Sequence, residues 1–494
     1  MRREIVLRDA WSATARDVAE RGGRLVALWA AERGAHFAVC AAYAAPEGLR
    51  WVELALPDSQ AKYPGLAEAY LFAGRMQRAI ADLSGLEAEG AADERLWLNH
   101  GAWPSDYRPL RAAASGVERF AGRATGDYPF VRVEGEGVHE IPVGPVHAGI
   151  IEPGHFRFSV VGEKVLRLEE RLGYVHKGIE KRFTQLAPLE AHRLAGRVSG
   201  DSTVAHAWAY CMALEDACGV EVPARGAWLR GLMLERERVA NHLGDLGALA
   251  NDAALAFGLT HFSRLREDWQ RTSHDAFGHR FMMDAVAPGG AAGDVNAPLL
   301  DRMRRDCERF AKEVAFLRSV LDEHAGLQDR FIAAGRLRPE LAARLGVTGL
   351  AARASGHAID LRCDHPWAPY ESLDVRMATH RNGDVAARAS VRFDELFESL
   401  RLVDEICEKL PRGAHRRDVT VPDSEAFGAG WVEGWRGEVF CALELEGGRI
   451  RRCHAHDPSW QNWPALEHAV MDNIVPDFPL INKSFNLSYS GHDL

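Results

Sequence analysis

Side chains able to move protons or hold a metal gather in four short segments of this sequence. GPVHAGIIEPGHFRF carries His147, Glu152, His155 and Arg157. Two imidazoles and a carboxylate on one loop can relay protons near neutral pH, where histidine changes charge; on spacing alone, a solvated loop is the alternative. GYVHKGIEKRF crowds Tyr174, His176, Lys177, Glu180 and Lys181 into one stretch expected to be helical. His176 and Glu180 then stand at i and i+4 on one face, a pattern that a surface ion-pair cluster also explains. GRVSGDSTVAH, with Ser199, Asp201, Ser202 and His206, reads like a metal-binding segment whose ligands have been removed. Asp201 and Ser202 are equally suited to capping the helix that begins TVAHAWAY. The fourth segment, RRCHAHDPSWQNWPALEHAV, supplies Asp457, Ser459 and Asn462. Its Cys453 is one of eight scattered cysteines with no C-x-x-C among them, so no zinc or self-contained iron–sulfur spacing is visible. Small buried apolar residues are the ordinary reading of such cysteines.

The elements that must position these residues follow from length and periodicity. A chain of 494 residues exceeds what one core usually supports, so two domains are expected. No apolar run reaches the roughly 18 residues of a membrane span. The start, MRREIVLRDAWSATARD, lacks a signal-peptide pattern, which predicts a cytoplasmic location. A net charge of −10 argues against nucleic acid as a partner. Short apolar runs such as GRLVALWAA and HFAVCAAYAA, with a helical LAEAYLFAGRMQRAIADL, predict a small α+β domain over residues 1–112. A Gly-rich stretch at 113–127 reads as a linker. From 128 to 494, strand-like FVRVEGEGVHEIPVG and HFRFSVVGEKVLRLEERLG lead into long helical patterns. Leu300, Met303, Cys307, Phe310, Val314, Leu317 and Leu321 form one apolar stripe; Trp228, Leu232, Val239, Leu243 and Leu246 form a second; Phe393, Leu396, Leu400, Val403 and Cys407 form a third. The fold class is therefore α+β, a small N-terminal α+β domain followed by a mainly helical bundle with a small antiparallel sheet.

These segments, with LERERVANHLGDL, FGHRFMMDAVAPGG and RCDHPWAPY, occur in the order found in one known family. From about residue 140 onward the sequence resembles the large subunit of membrane-bound, energy-converting NiFe hydrogenases of the formate hydrogenlyase type. It is also similar to the homologous D subunit of respiratory complex I. Residues 1 to about 110 look like complex I's C subunit, through QRAIADLSG and HGAWPSDYRPLR, although Gln77 and Ala79 replace its usual glutamates.

The resemblance implies an oxidoreductase subunit that works only within a complex. Its family holds nickel through two C-x-x-C pairs; here these are expected at Ser199 and Ser202 and at Ser459 and Asn462, so all four thiolates are missing. Neutral hydroxyls and a carboxamide are poor ligands for so soft a site. The 32 residues after Asn462 (494 minus 462) fit loss of the metal as well, since nickel-bearing relatives typically lose such an extension. In complex I the vacated cavity became a quinone site. By that resemblance Glu152, His155 and Asp201 are the expected catalytic residues. His147, Arg157, Ser199, Ser202, His206, Asp457, Ser459 and Asn462 are expected to line the cavity, and His176, Lys177, Glu180, Arg362 and Asp364 to serve interfaces or structure, with Arg362 and Asp364 as a buried pair. The quinone-binding tyrosine of complex I falls on Gly200. No cofactor is expected on this chain alone. The expected partners are a small subunit with a four-iron four-sulfur cluster, antiporter-like membrane subunits and ferredoxin-like or other electron-input subunits, with a quinone as possible acceptor. The expected location is peripheral, on the cytoplasmic face of the inner membrane. An active nickel hydrogenase and a non-catalytic coupling scaffold are the alternatives.

Overall fold

The computed structural model describes residues 2–57, 62–122, 127–149 and 151–494. Near the N-terminus, strands Arg2–Val6, Gly48–Pro57, His36–Ala45 and Arg24–Arg33 lie side by side in that order, the first pair parallel and the rest antiparallel. The long strands are buried along almost their whole length, which is why they read as unbroken apolar runs. Helices Arg8–Glu20 and Ala73–Ser84 join one core with Leu28, Val39 and Val52. Trp29, Cys40 and Trp51 pack instead against Trp431, Phe440 and Leu361. Of the expected linker, residues 123–126 lie outside the described residues; 113–122 carry only turns and coil.

The second sheet pairs Val138–Val143 with His155–Val161 and then Lys164–Arg171, all antiparallel. Only the second half of the expected FVRVEGEGVHEIPVG strand forms, because the Gly135 and Gly137 turn interrupts it. A third antiparallel sheet, Ala426–Glu433, Glu438–Glu446 and Arg449–His456, covers the Thr203–Cys218 helix. Gly428 and Gly430 make that contact possible: a Cβ at either would fall 2.0 Å from the Ala213 carbonyl oxygen or 1.8 Å from that of Ala209.

The bundle consists of helices Ala224–Asp252, Ala256–Phe277, Ala297–Glu323 and Val385–Lys409. The first stripe holds, Met303 to Leu321 being buried on one face; the third, Phe393 to Cys407, is buried as well, but Arg388, Arg392, Glu395 and Ser399 of the same helix are buried with it. The Ala224–Asp252 helix departs from the single-stripe expectation. It is buried nearly all round, including Arg230, Glu235, Arg236, Glu237, Arg238, His242 and Asp245, so its charges are paired inside the protein. No described helix is long and apolar enough to cross a membrane.

Candidate functional site

The loop between Val143 and His155 folds over a cavity of about 850 Å³. Its floor is formed by Ser199, Gly200 and Asp201, and its far wall by Asn482, Lys483 and the segment Asn486–Ser490. Of the residues expected there, His147, Glu152, Ser199 and Asp201 line it. His147 Nε2 lies 2.8 Å from the Gly154 carbonyl oxygen, and Glu152 accepts the Ser490 N–H at 3.0 Å, which ties the loop to the far wall. His155 and Arg157 stand behind the loop. His155 Nδ1 is 3.1 Å from the Gly144 oxygen, and burial, with Arg157 and His147 adding, lowers its pKa. Arg157 pairs with Glu140 at 2.8 Å near the surface.

Beneath the cavity floor lies a buried polar cluster centred on Arg436. Its guanidinium donates to Asp201 at 2.6 Å, to the Ser202 hydroxyl at 3.3 Å and to the Asn486 carbonyl at 2.6 Å. Asp457 lies 4.0 Å away and is 3.1 Å from His206 Nε2. Against its burial, the His206 hydrogen bond and the charge of Arg436 hold the Asp457 carboxyl well below the usual carboxylate range. Ser199 donates to Asp201 at 2.6 Å and lies 2.8 Å from the Ser488 hydroxyl. Ser459 accepts the Ser488 N–H at 2.9 Å. Asn462 is spent elsewhere, exchanging hydrogen bonds with the Thr348 backbone at 3.0 and 3.2 Å. Geometry thus sets Ser488-x-x-Gly491 of the tail, and not Ser459-x-x-Asn462, against Ser199. A Cβ at Gly491 would meet the Asp457 carboxylate at 2.7 Å. The tail is part of the site and not an appendage to it.

These atoms do not suit a nickel–iron centre. Ser199, Ser202 and Ser488 present hydroxyls already committed to hydrogen bonds, and a buried arginine supplies positive charge among them. Thiolates are what such metals need.

The expected helix cap is also different. Neither Asp201 nor Ser202 caps the Thr203–Cys218 helix with its side chain. Glu237, from the bundle's central helix, accepts the Val204 and Ala205 N–H groups at 2.7 and 3.2 Å. Burial, with Asp201 adding, pushes the Glu237 carboxyl up to about 8 despite those two donors.

The other expected clusters are arranged differently. His176 precedes the short Ile179–Phe183 helix and does not share it with Glu180. Its Nδ1 is 2.7 Å from the Asp493 carbonyl oxygen. Glu180 is buried against Arg452 at 2.9 Å and His454 at 2.7 Å, so it belongs to no surface cluster. Lys177 is exposed to solvent, and the desolvation it does undergo lowers its pKa against the pull of Glu152 and Asp493. Arg362 pairs with Asp360 at 2.7 Å and Glu235 at 3.1 Å. Asp364 is exposed and accepts the Asp360 N–H at 2.9 Å.

Sequence reading missed Arg436, Glu237, Ser488, Tyr489, Asp252 and Lys483. The one available signal was the density of polar residues in KSFNLSYSGHDL, unusual for a segment so rich in buried neighbours.

A model of the respiratory-chain NADH dehydrogenase 49 kDa subunit matches residues 245–428, and one of nickel-dependent hydrogenases matches residues 177–248. Formate hydrogenlyase subunit 5 of Escherichia coli (strain K12) is 30% identical over 96% of this chain and 85% of its own length. The chain belongs to this hydrogenase and complex I family. Another member, the carbon monoxide-induced hydrogenase of Rhodospirillum rubrum, is 33% identical over 70% of this chain and 97% of its own. A chain of the membrane-bound sulfane sulfur reductase, an archaeal respiratory membrane complex, superposes with a TM-score of 0.68. It is 25% identical and covers 73% of this chain and 99% of that one.

Proposed function

We propose that this chain is the acceptor-site subunit of a membrane-associated oxidoreductase complex. Electrons come from a four-iron four-sulfur cluster on a partner small subunit, fed by ferredoxin-like or other input subunits. They reduce a quinone-like acceptor in the cavity, and the reduction is coupled to proton or cation translocation by antiporter-like membrane subunits. The complex sits on the cytoplasmic face of the membrane. One observation supports the reading: hydroxyls and a buried arginine gather at Ser199 and Ser202, where the resemblance expects metal ligands, while a cavity of about 850 Å³ opens beside them with Asp201, Glu152 and His147 among its lining. Relatives named as hydrogenase and hydrogenlyase subunits support the placement in a complex. The chain's own contribution is to bind the acceptor, exclude water from it and hold protonatable groups against it.

Metal analysis of the complex from its native host tests the reading. Iron without nickel, with quinone reduction that falls at least tenfold in Asp201→Asn, is the expected result. Nickel near one per copy with hydrogen turnover makes it a hydrogenase instead. Quinone reduction unchanged in both Asp201→Asn and Glu152→Gln makes it a coupling scaffold.

A further inference from the structure

We propose that Glu433 holds one exchangeable proton inside a buried ionic cluster behind the cavity floor. This protonation site stands apart from the cavity and does not depend on the acceptor-site reading. Arg238 lies 3.4 Å from Glu235 and 3.9 Å from Glu395. Arg353 meets Glu395 at 2.7 Å, Glu433 at 2.8 Å and Asp360 at 3.6 Å. Arg362 meets Asp360 at 2.7 Å and Glu235 at 3.1 Å, and His242 Nε2 lies 2.8 Å from Glu395. None of these side chains is more than 2% exposed. Among the described residues, no ion pair joins them to a group outside the cluster.

Four carboxylates therefore face three guanidiniums, which leaves the cluster one positive charge short of neutrality. An uncompensated charge this deep is strongly disfavoured, and the group takes up a proton instead. His242 is poorly placed to carry it. Its Nδ1 has no hydrogen-bond partner among the described residues, so a second ring proton would be left unsatisfied. Burial, with Arg392 and Arg238 adding against Glu395, also lowers its pKa. Among the carboxylates Glu433 is the least supported. Glu235 also accepts the Tyr370 and Ser399 hydroxyls, each at 2.6 Å, and Asp360 accepts the Arg362 backbone N–H at 3.0 Å. Glu395 has both Arg353 and His242. Glu433 has an Arg353 Nη1 that also serves the Ile359 carbonyl, and the Leu361 N–H at 3.3 Å.

The surroundings of Glu433 act in the same direction. Opposite it in the antiparallel sheet stands Glu438, a like charge whose own partner is Arg24. Burial raises the Glu433 pKa, with Arg353 and Arg238 opposing and Asp360 and Glu438 adding. Glu433 also opens the turn that closes at Glu438, where the Gly434 N–H donates to the Gly437 carbonyl at 2.8 Å. From that turn Trp435 donates to the Asp201 carbonyl at 2.9 Å and Arg436 to the Asp201 carboxylate at 2.6 Å. A proton gained or lost at Glu433 therefore changes the charge at the foot of the turn that holds the cavity floor.

Infrared spectra of the full chain test this, because the C=O stretch of a protonated, buried carboxyl stands clear of the amide bands. Glu433→Gln keeps the shape of the protonated side chain. The wild type at pH 6 should show a carboxyl band that bleaches as pH rises, the direction a raised folded pKa requires, and that is lost in Glu433→Gln. Glu237, whose pKa is also raised, contributes a band of its own, so Glu237→Gln is the control and should leave the Glu433 band in place. A Glu433→Gln chain that keeps every carboxyl band of the wild type overturns the assignment. If that variant does not fold, Glu438→Gln decides. Removing the like charge opposite should move the midpoint of one carboxyl band to lower pH, and a set of midpoints that does not move overturns the proposal. Neither result bears on the acceptor-site reading, which stands or falls on quinone reduction by the complex.

Discussion

Arg436 gives the site's residues their charge balance. It is 3% exposed and binds Asp201, the Ser202 hydroxyl and a backbone carbonyl, with Asp457 4.0 Å away. Arg436→Met leaves buried negative charge uncompensated and should cost about 3–5 kcal/mol, read as a lower Tm of the purified chain. Arg436→Lys should recover less than half of that loss, since an ammonium cannot present the same planar fork. Glu237 gives a pH signature of its own. Its folded pKa of about 8 lies above the ordinary 4.5, so the folded state holds its proton more tightly than the unfolded chain does. The stability it contributes is complete below about pH 4.5 and is lost as pH rises through 8. Urea unfolding at pH 6 and pH 8 should show a wild-type loss on the order of 2 kcal/mol, from 1.36 kcal/mol per unit. Glu237→Gln should be less stable overall, having one acceptor oxygen fewer for two N–H groups, but should lack that slope.

At the scale of elements, the close approach of the Thr203–Cys218 helix to its sheet sets the floor of the cavity. Gly430→Ala drives a methyl into the Ala209 carbonyl and should destabilise by about 1–3 kcal/mol or more, measured as a shift in the denaturation midpoint. What the sequence disclosed about the elements follows from which faces meet water. The Ala297–Glu323 helix keeps one face in water, so its apolar stripe was legible as period. LERERVANHL places Val239 and Leu243 on a core-facing stripe, yet its charged residues are buried with them. Its charges find partners far along the chain, such as Arg362 for Glu235 and Glu395 for His242, and no local pattern announces those. The loop with His147 and Glu152 and the floor with Ser199 and Asp201 were recognisable by residue type. The far wall was not: Ser488 and Tyr489 gain their meaning only from contacts that spacing cannot express, and the i, i+3 pair at Ser459 lay close in sequence motif but one neighbour away in space.

Across the whole molecule, the N-terminal sheet is bound to the rest by apolar packing and by ion pairs. Arg33 bridges Glu53 and Glu444, Arg24 pairs with Glu438, and Arg75 joins Glu170 and Glu467. A chain lacking residues 1–112 would bare Trp431, Phe440 and the Glu438 and Glu444 carboxylates. It should therefore aggregate or unfold at least 10 °C below the full chain, as followed by light scattering during heating. The hydrogen bond between Ser199 and Ser488 spans 289 residues of sequence. During synthesis, then, the loop and floor leave the ribosome long before the wall that completes them, and the cavity is a late product of folding. The chamber is therefore incomplete until Ser488 has reached Ser199, so the last residues to be made close what the earlier ones began.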